Sequence, residues 1–220
     1  MKKNLFILAI TLCVINISAQ TAKNKLGFTI GGGSQKYNGD LGNGFKFKNE
    51  AWYGTVTANA SYYICNSFDI GLFAATGDYG YCQPEGVAKT VVEVDDRCPG
   101  CFGRVGIGNL NSRLTTGGML LKYKLANGYL LSETAKLKPY VYFGAAANSV
   151  TDIMKMQCVQ PGKYYSLNAG AGVKYYVNER INIGYNLSFG YFTSDHLDYK
   201  MNGRSDMSMQ NTLFVGIDLF

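Results

Sequence analysis

Beyond residue 19 no window approaches the roughly 18 uninterrupted apolar residues of a membrane-spanning helix, so a spanning chain would have to cross with strands. Charged residues are scarce as well, at 16%. That is too few for a well-solvated globule, and the 47% apolar content excludes a disordered chain. Histidine occurs once, at position 196, which leaves a single imidazole for acid–base chemistry. No excess of one charge points to nucleic acid: without Lys2 and Lys3, 19 basic residues face 15 acidic ones, a formal charge of +4. What is present instead is glycine, 27 residues of it, and 14% aromatics. Gly and Tyr take the place of the Ala, Leu, Glu and Lys that helices favour, which points to β-structure.

The first 19 residues read as a signal peptide. Lys2 and Lys3 precede an apolar run over 5–17, and Ser18 and Ala19 supply small residues before the polar Gln20 and Thr21. The run is too short for a spanning helix. Cys13 lacks the preceding Gly or Ala of a lipoprotein cysteine. Residues 20–220 are then one exported domain, and its five cysteines enter an oxidising space.

Apolar residues alternate with small or polar ones along segment after segment, the period of a strand with one apolar face. Leu26, Phe28 and Ile30 alternate with Gly27, Thr29 and Gly31; Val56, Ala58, Ala60, Tyr62 and Ile64 alternate with Thr55, Thr57, Asn59, Ser61 and Tyr63. Phe68, Ile70, Leu72 and Ala74 open a third strand. Met119, Leu121, Tyr123 and Leu125 mark a fourth, with Lys122 and Lys124 on its other face. Val141, Phe143 and Ala145 mark a fifth, whose facing Tyr140 and Tyr142 leave ambiguous. The stretches 165–175, 181–191 and 212–219 are the clearest, and in them aliphatic positions in the middle give way to Tyr or Phe at the ends. That is the pattern of a lipid-facing wall with interfacial aromatic girdles.

Connections alternate in length. Residues 66–67 and 177–180 are tight turns, whereas 37–49, 81–111, 151–163 and 193–206 are long and polar. The stretch 127–138 is longer than a periplasmic turn should be. Short turns on one side and long loops on the other predict an all-β fold: an eight-stranded antiparallel transmembrane up-and-down β-barrel of the outer membrane, with both ends in the periplasm. The soluble alternative is a ligand-binding barrel of lipocalin type, which would turn the apolar stripe inward. It would crowd the Tyr-ended stripes into its cavity, and no Gly-x-Trp opens the first strand, since Trp52 follows Glu50 and Ala51.

The segments GGGSQKYNGDLG (31–42), NSFDIGL (66–72) and GDYGY (77–81) resemble the N-terminal barrel of OmpA-related outer-membrane proteins. MLLKYKLANGYLL (119–131), KPYVYFGA (138–145) and AGAGVKYYVNERINIGYNLSFGYF (169–192) are similar to the later strands of that barrel. The resemblance thus covers nearly the whole mature chain. It implies an integral barrel inserted by the barrel-insertion machinery, in contact with outer-membrane lipid and lipopolysaccharide. Members of that family carry a peptidoglycan-binding domain after the barrel, and the expectation here is the barrel without that tethering role. A terminal Phe220 resembles the insertion signal, although Asp218 and Gly216 occupy positions where alternate apolar residues are usual.

In this topology Cys82, Cys98 and Cys101 belong to the longest external loop and Cys158 to the next, while Cys65 lies at a periplasmic turn. A hydrocarbon core of about 30 Å separates Cys65 from the rest, far beyond the ~7 Å that a disulfide spans between Cα atoms. Two disulfides are therefore expected among Cys82, Cys98, Cys101 and Cys158, in one of three connectivities. A zinc knuckle from Cys98-Pro99-Gly100-Cys101 is the alternative, but Cys82 and Cys158 lack the spacing for its second half. His196, among Ser194, Asp195 and Asp198, would be the base of an enzyme at the outer rim. An exposed loop histidine among solvated carboxylates is the plainer account, and no catalytic residue, cofactor or metal is assigned. Gly31-Gly32-Gly33 and Gly106-x-Gly108 lead into no helix and no Lys-Ser/Thr pair, so they are not phosphate loops. Inward Lys174 and Asp218 are expected to pair within the barrel.

An eight-stranded barrel is just wide enough for side chains to fill. With Tyr63, Phe73 and Phe214 inward, a large pore is not expected. The function expected is structural service in the outer membrane, or contact with a surface or envelope protein through the loops. The alternatives are a narrow channel and an accessory subunit of a secretion or assembly complex; no nucleic-acid partner is expected.

Overall fold

The computed structural model describes residues 25–38, 53–81, 110–152, 163–193 and 205–219. They form eight strands: β1 (Leu26–Asn38), β2 (Tyr53–Tyr63), β3 (Phe68–Tyr81), β4 (Leu110–Lys124), β5 (Leu137–Asp152), β6 (Lys163–Tyr176), β7 (Ile181–Phe192) and β8 (Met207–Leu219). Each pairs antiparallel with the next, and β1 closes on β8 from Leu26 opposite Leu219 to Asn38 opposite Met207. A closed sheet leaves no unpaired edge. In hydrocarbon every exposed backbone N–H or C=O would cost several kcal/mol, on the order of a lost hydrogen bond each.

The period-2 alternation resolves into two walls. Along β8, Thr212 is 3% exposed, Leu213 69% and Phe214 7%. The same phase holds around the barrel, with Ile30, Leu72 and Phe143 outward and Thr55, Asp69 and Lys122 inward. Tyr140 and Tyr142, whose facing the sequence left ambiguous, turn inward to line the lumen. The outer wall is therefore a continuous band of exposed Leu, Ile, Val and Phe, bordered by Tyr62, Tyr175 and Tyr191. A lipocalin-like arrangement would have reversed both faces. An exposed apolar band encircling the molecule has no place in water, where patches stay within a few hundred Å², and it fits the hydrocarbon of a bilayer. The molecule is an outer-membrane β-barrel.

Several strands outrun the hydrocarbon. β4 begins at Leu110, well before the alternation that starts at Met119, and β5 runs 16 residues. On the outer wall of these extensions polar pairs replace aliphatic ones. Thr76 and Thr115 share a hydrogen bond of 3.1 Å, and Arg113 Nε donates to Asp78 Oδ1 at 3.0 Å. These pairs mark the level at which the outer wall leaves the lipid tails.

The end opposite the long connections carries three turns. Residues 64–67 close β2 on β3 through Phe68 N to Cys65 O and Cys65 N to Phe68 O. Residues 177–180 close β6 on β7 around Asn178, whose Oδ1 accepts from the N–H groups of Arg180 and Ile181. The longer β4–β5 connection is ordered by Asn127, which is 2% exposed. Its Oδ1 accepts from Tyr129 N and Leu130 N, and its Nδ2 donates to Ser67 Oγ and Tyr123 Oη. Gly128 follows with φ of 86°, a left-handed conformation that suits glycine.

Candidate functional site

The lumen is where polar and charged side chains converge, because along the aliphatic band the hydroxyl, amide and lysine positions of the strands turn inward. At the end of the tight turns Lys124 Nζ lies 2.6 Å from Asp69 Oδ1 and 4.2 Å from the centre of the Tyr63 ring. Tyr176 Oη donates to Asp218 Oδ2 at 2.7 Å, and Lys138 Nζ stands 5.5 Å over the Tyr176 ring. Lys138 also donates to the Glu133 carbonyl in the β4–β5 turn. Lys174 and Asp218 both point inward as expected, but they do not pair. Asp218 takes the Tyr176 hydroxyl instead, two residues along β6, because the stagger between strands brings that hydroxyl to the carboxylate.

The middle of the lumen is filled by aromatics set against glycines. A Cβ at Gly170 would lie 2.4 Å from Tyr142 Oη, one at Gly172 would lie 2.4 Å from Tyr140 Oη, and one at Gly184 would lie 2.4 Å from Phe214 Cζ. Adjoining strands thus trade side-chain volume, large on β5 and β8 and none on β6 and β7. Asn186 Nδ2 donates to Tyr142 Oη at 3.1 Å and tethers that ring. Toward the other end amides take over: Thr116 Oγ1 donates to Asn148 Oδ1, Asn148 Nδ2 to Ser166 Oγ, and Gln210 Nε2 to Gln35 Oε1. Each of these groups satisfies another without water, as buried polar groups must.

Among the described residues the lumen holds a cavity of about 50 Å³, lined among others by Lys122, Tyr140, Tyr142, Lys174, Gln210 and Phe214. It admits a few waters or one small ion. The inward placement of Tyr63, Phe73 and Phe214 follows the sequence expectation. The sequence signalled Lys122 and Lys124 as inward but not the Asp69–Lys124 pair, whose partners lie on different strands.

Cys65 is exposed and free at the β2–β3 turn. Cys82, Cys98, Cys101 and Cys158 lie outside the described residues, as do His196, Ser194, Asp195 and Asp198, the signal segment and Phe220. Among the described residues no three His, Cys, Asp or Glu side chains come together as a metal site.

No protein-family model matches the chain, and no characterised protein matches it in sequence. In structure it is similar to Neisserial surface protein A (NspA), with a TM-score of 0.57 at 13% identity, over 88% of this chain and 97% of that one. It also aligns with the outer membrane protein OprG of Pseudomonas aeruginosa, at a TM-score of 0.48 and 14% identity over 90% of this chain and 98% of that one. The N-terminal β-barrel domain of Pseudomonas aeruginosa OprF aligns at 0.46 and 16% identity, over 89% and 98% of the two chains. At such identities the likeness to NspA is one of fold, and the fold it shares is the closed eight-stranded barrel of the outer membrane.

Proposed function

We propose that this protein is a non-conducting outer-membrane barrel, kin to the OmpA-related barrels, whose work is done by its external connections through contact with a surface or envelope partner. The observation that carries this is the side-chain-filled lumen: among the described residues Tyr140, Tyr142, Lys122 and Phe214 surround a cavity of about 50 Å³. Solute passage would need several of those side chains to move together. The wall serves as anchor, with lipid on the aliphatic band and lipopolysaccharide against the polar outer pairs Arg113–Asp78 and Thr76–Thr115. The reading includes insertion by the barrel machinery, which a closed barrel of this kind would require. Specificity then falls to the stretches 39–52, 82–109, 153–162 and 194–204, which leave the barrel at the end away from the tight turns. In this role the protein is not an enzyme.

Two measurements test the proposal. Folded protein in planar bilayers should give no discrete conductance steps, and regular steps would make it a narrow channel instead. A photo-crosslinking residue placed within 82–109 in intact cells should give a discrete adduct with one envelope component. If no position in the long connections yields an adduct, the barrel's role is structural only. Co-purification with a large assembly under mild detergent would make it an accessory subunit.

A further inference from the structure

We propose that the lumen binds a monovalent inorganic anion of chloride size between Lys122 and Lys174. The two lysines project from the inner faces of β4 and β6 into the same cavity. They are 8% and 5% exposed, so both ammonium-bearing side chains are more than nine-tenths buried. Neither makes an ion pair or hydrogen bond with a described side chain; the one contact of this kind is Lys122 Nζ at 4.8 Å over the Tyr140 ring.

The two nearby carboxylates, Asp69 and Asp218, act on Lys122 only through space and make their direct contacts with other groups. Asp69 is held by Lys124 at 2.6 Å, and Asp218 Oδ2 by Tyr176 Oη at 2.7 Å. Asp218 Oδ1 has no partner, yet neither Asp69 nor Asp218 lines the cavity. At the tight-turn end four lysines, 122, 124, 138 and 174, stand with three carboxylates, Asp69, Asp218 and Glu133 of the β4–β5 turn, and Lys122 and Lys174 are the two that face the cavity. Two buried ammonium groups with no carboxylate in direct contact are costly in a low-dielectric interior, and an anion between them would offset that cost.

The cavity suits a small anion. Its volume of about 50 Å³ exceeds what one water needs and is too small for a large organic anion. The rest of its lining adds neutral donors, among them the Thr212 and Ser188 hydroxyls and the Asn186 and Gln210 amides. No carboxylate faces it. A halide there would accept charge-assisted hydrogen bonds from both lysines, the strong kind.

The test uses the folded mature protein crystallised with sodium bromide in place of chloride. Anomalous difference density at the bromine edge should show a peak inside the lumen that touches both Lys122 Nζ and Lys174 Nζ. The peak should vanish in Lys122→Met and in Lys174→Met. In solution, the unfolding midpoint of the wild type should be higher in sodium chloride than in sodium gluconate at equal ionic strength, because gluconate cannot enter. That difference should disappear in the double variant. A wild-type lumen holding water alone, with no anomalous peak, would overturn the proposal. So would a peak that persists in the double variant, or a wild-type midpoint indifferent to the anion. Should the variants fail to fold, the wild-type bromide map and salt comparison decide by themselves.

Discussion

Asp69 stands on the inner face of β3 with 1% of its side chain exposed, opposite Tyr63 on β2 and Lys122 on β4. Its ion pair is made one step diagonally, to Lys124, whose side chain is 15% exposed. Removing one member of a buried pair costs more than replacing both, since it strands the other charge. Lys124→Met should therefore lower stability by about 3 kcal/mol in urea unfolding from lipid vesicles, and the Asp69→Asn, Lys124→Met double variant should recover part of that loss. A loss under about 1 kcal/mol in the single variant would mean that the pair behaves as a solvated one at the barrel mouth. The same residues show a limit of sequence reading. Period-2 alternation tells which way Lys124, Lys174 and Asp218 point, but the stagger between strands decides whom they meet. Lys174 and Asp218 look complementary in the sequence, and stagger gives Asp218 the Tyr176 hydroxyl.

Elements show a second kind of limit. β4 was legible only from Met119, where the outward positions become Met119, Leu121 and Tyr123; the stretch from Leu110 hydrogen-bonds to β3 and β5 just as regularly. Its outward residues are Arg113, Thr115 and Gly117, so the hydrophobic signal stops where the hydrocarbon stops while the ladder continues. The β4–β5 connection is longer than a tight turn, and a buried side chain, Asn127, orders it together with backbone bonds such as Gly128 N–H to Leu131 O. Asn127 supplies four hydrogen bonds, two to backbone N–H groups of Tyr129 and Leu130 and two to Ser67 and Tyr123. It holds Tyr129, Leu130 and Leu131 exposed at the periplasmic rim. Asn127→Ala would remove four hydrogen bonds made by one buried side chain, a cost of about 2 kcal/mol. Hydrogen exchange at residues 128–131 should accelerate while the strand amides of β4 and β5 stay protected. If the whole barrel loses protection together, the turn is part of the barrel's cooperative unit rather than an appendage.

At the scale of the whole molecule one question governs the rest, namely which solvent the outer wall meets. Val215 tests it, because it lies between Leu213 and Ile217 in the middle of the aliphatic run on β8, opposite Ile30 on β1 and Ile183 on β7. It is 54% exposed in the isolated chain, so no neighbouring side chain is displaced by a longer one. In water an arginine at such a position would change stability by about 0.5 kcal/mol or less, as exposed substitutions do. In the middle of a bilayer the same guanidinium must shed its hydration or drag water and headgroups toward it, which costs roughly 2–4 kcal/mol. Val215→Arg should therefore destabilise the barrel by that larger amount in vesicles. An arginine at Thr115, level with the polar pairs of the outer wall, should cost about 1 kcal/mol or less, as charges near the interface do. The contrast isolates depth from substitution, since both sites are outward and exposed. Equal small effects at both positions would place the band in water, and a larger penalty at Thr115 than at Val215 would put the hydrocarbon at the wrong height along the strands.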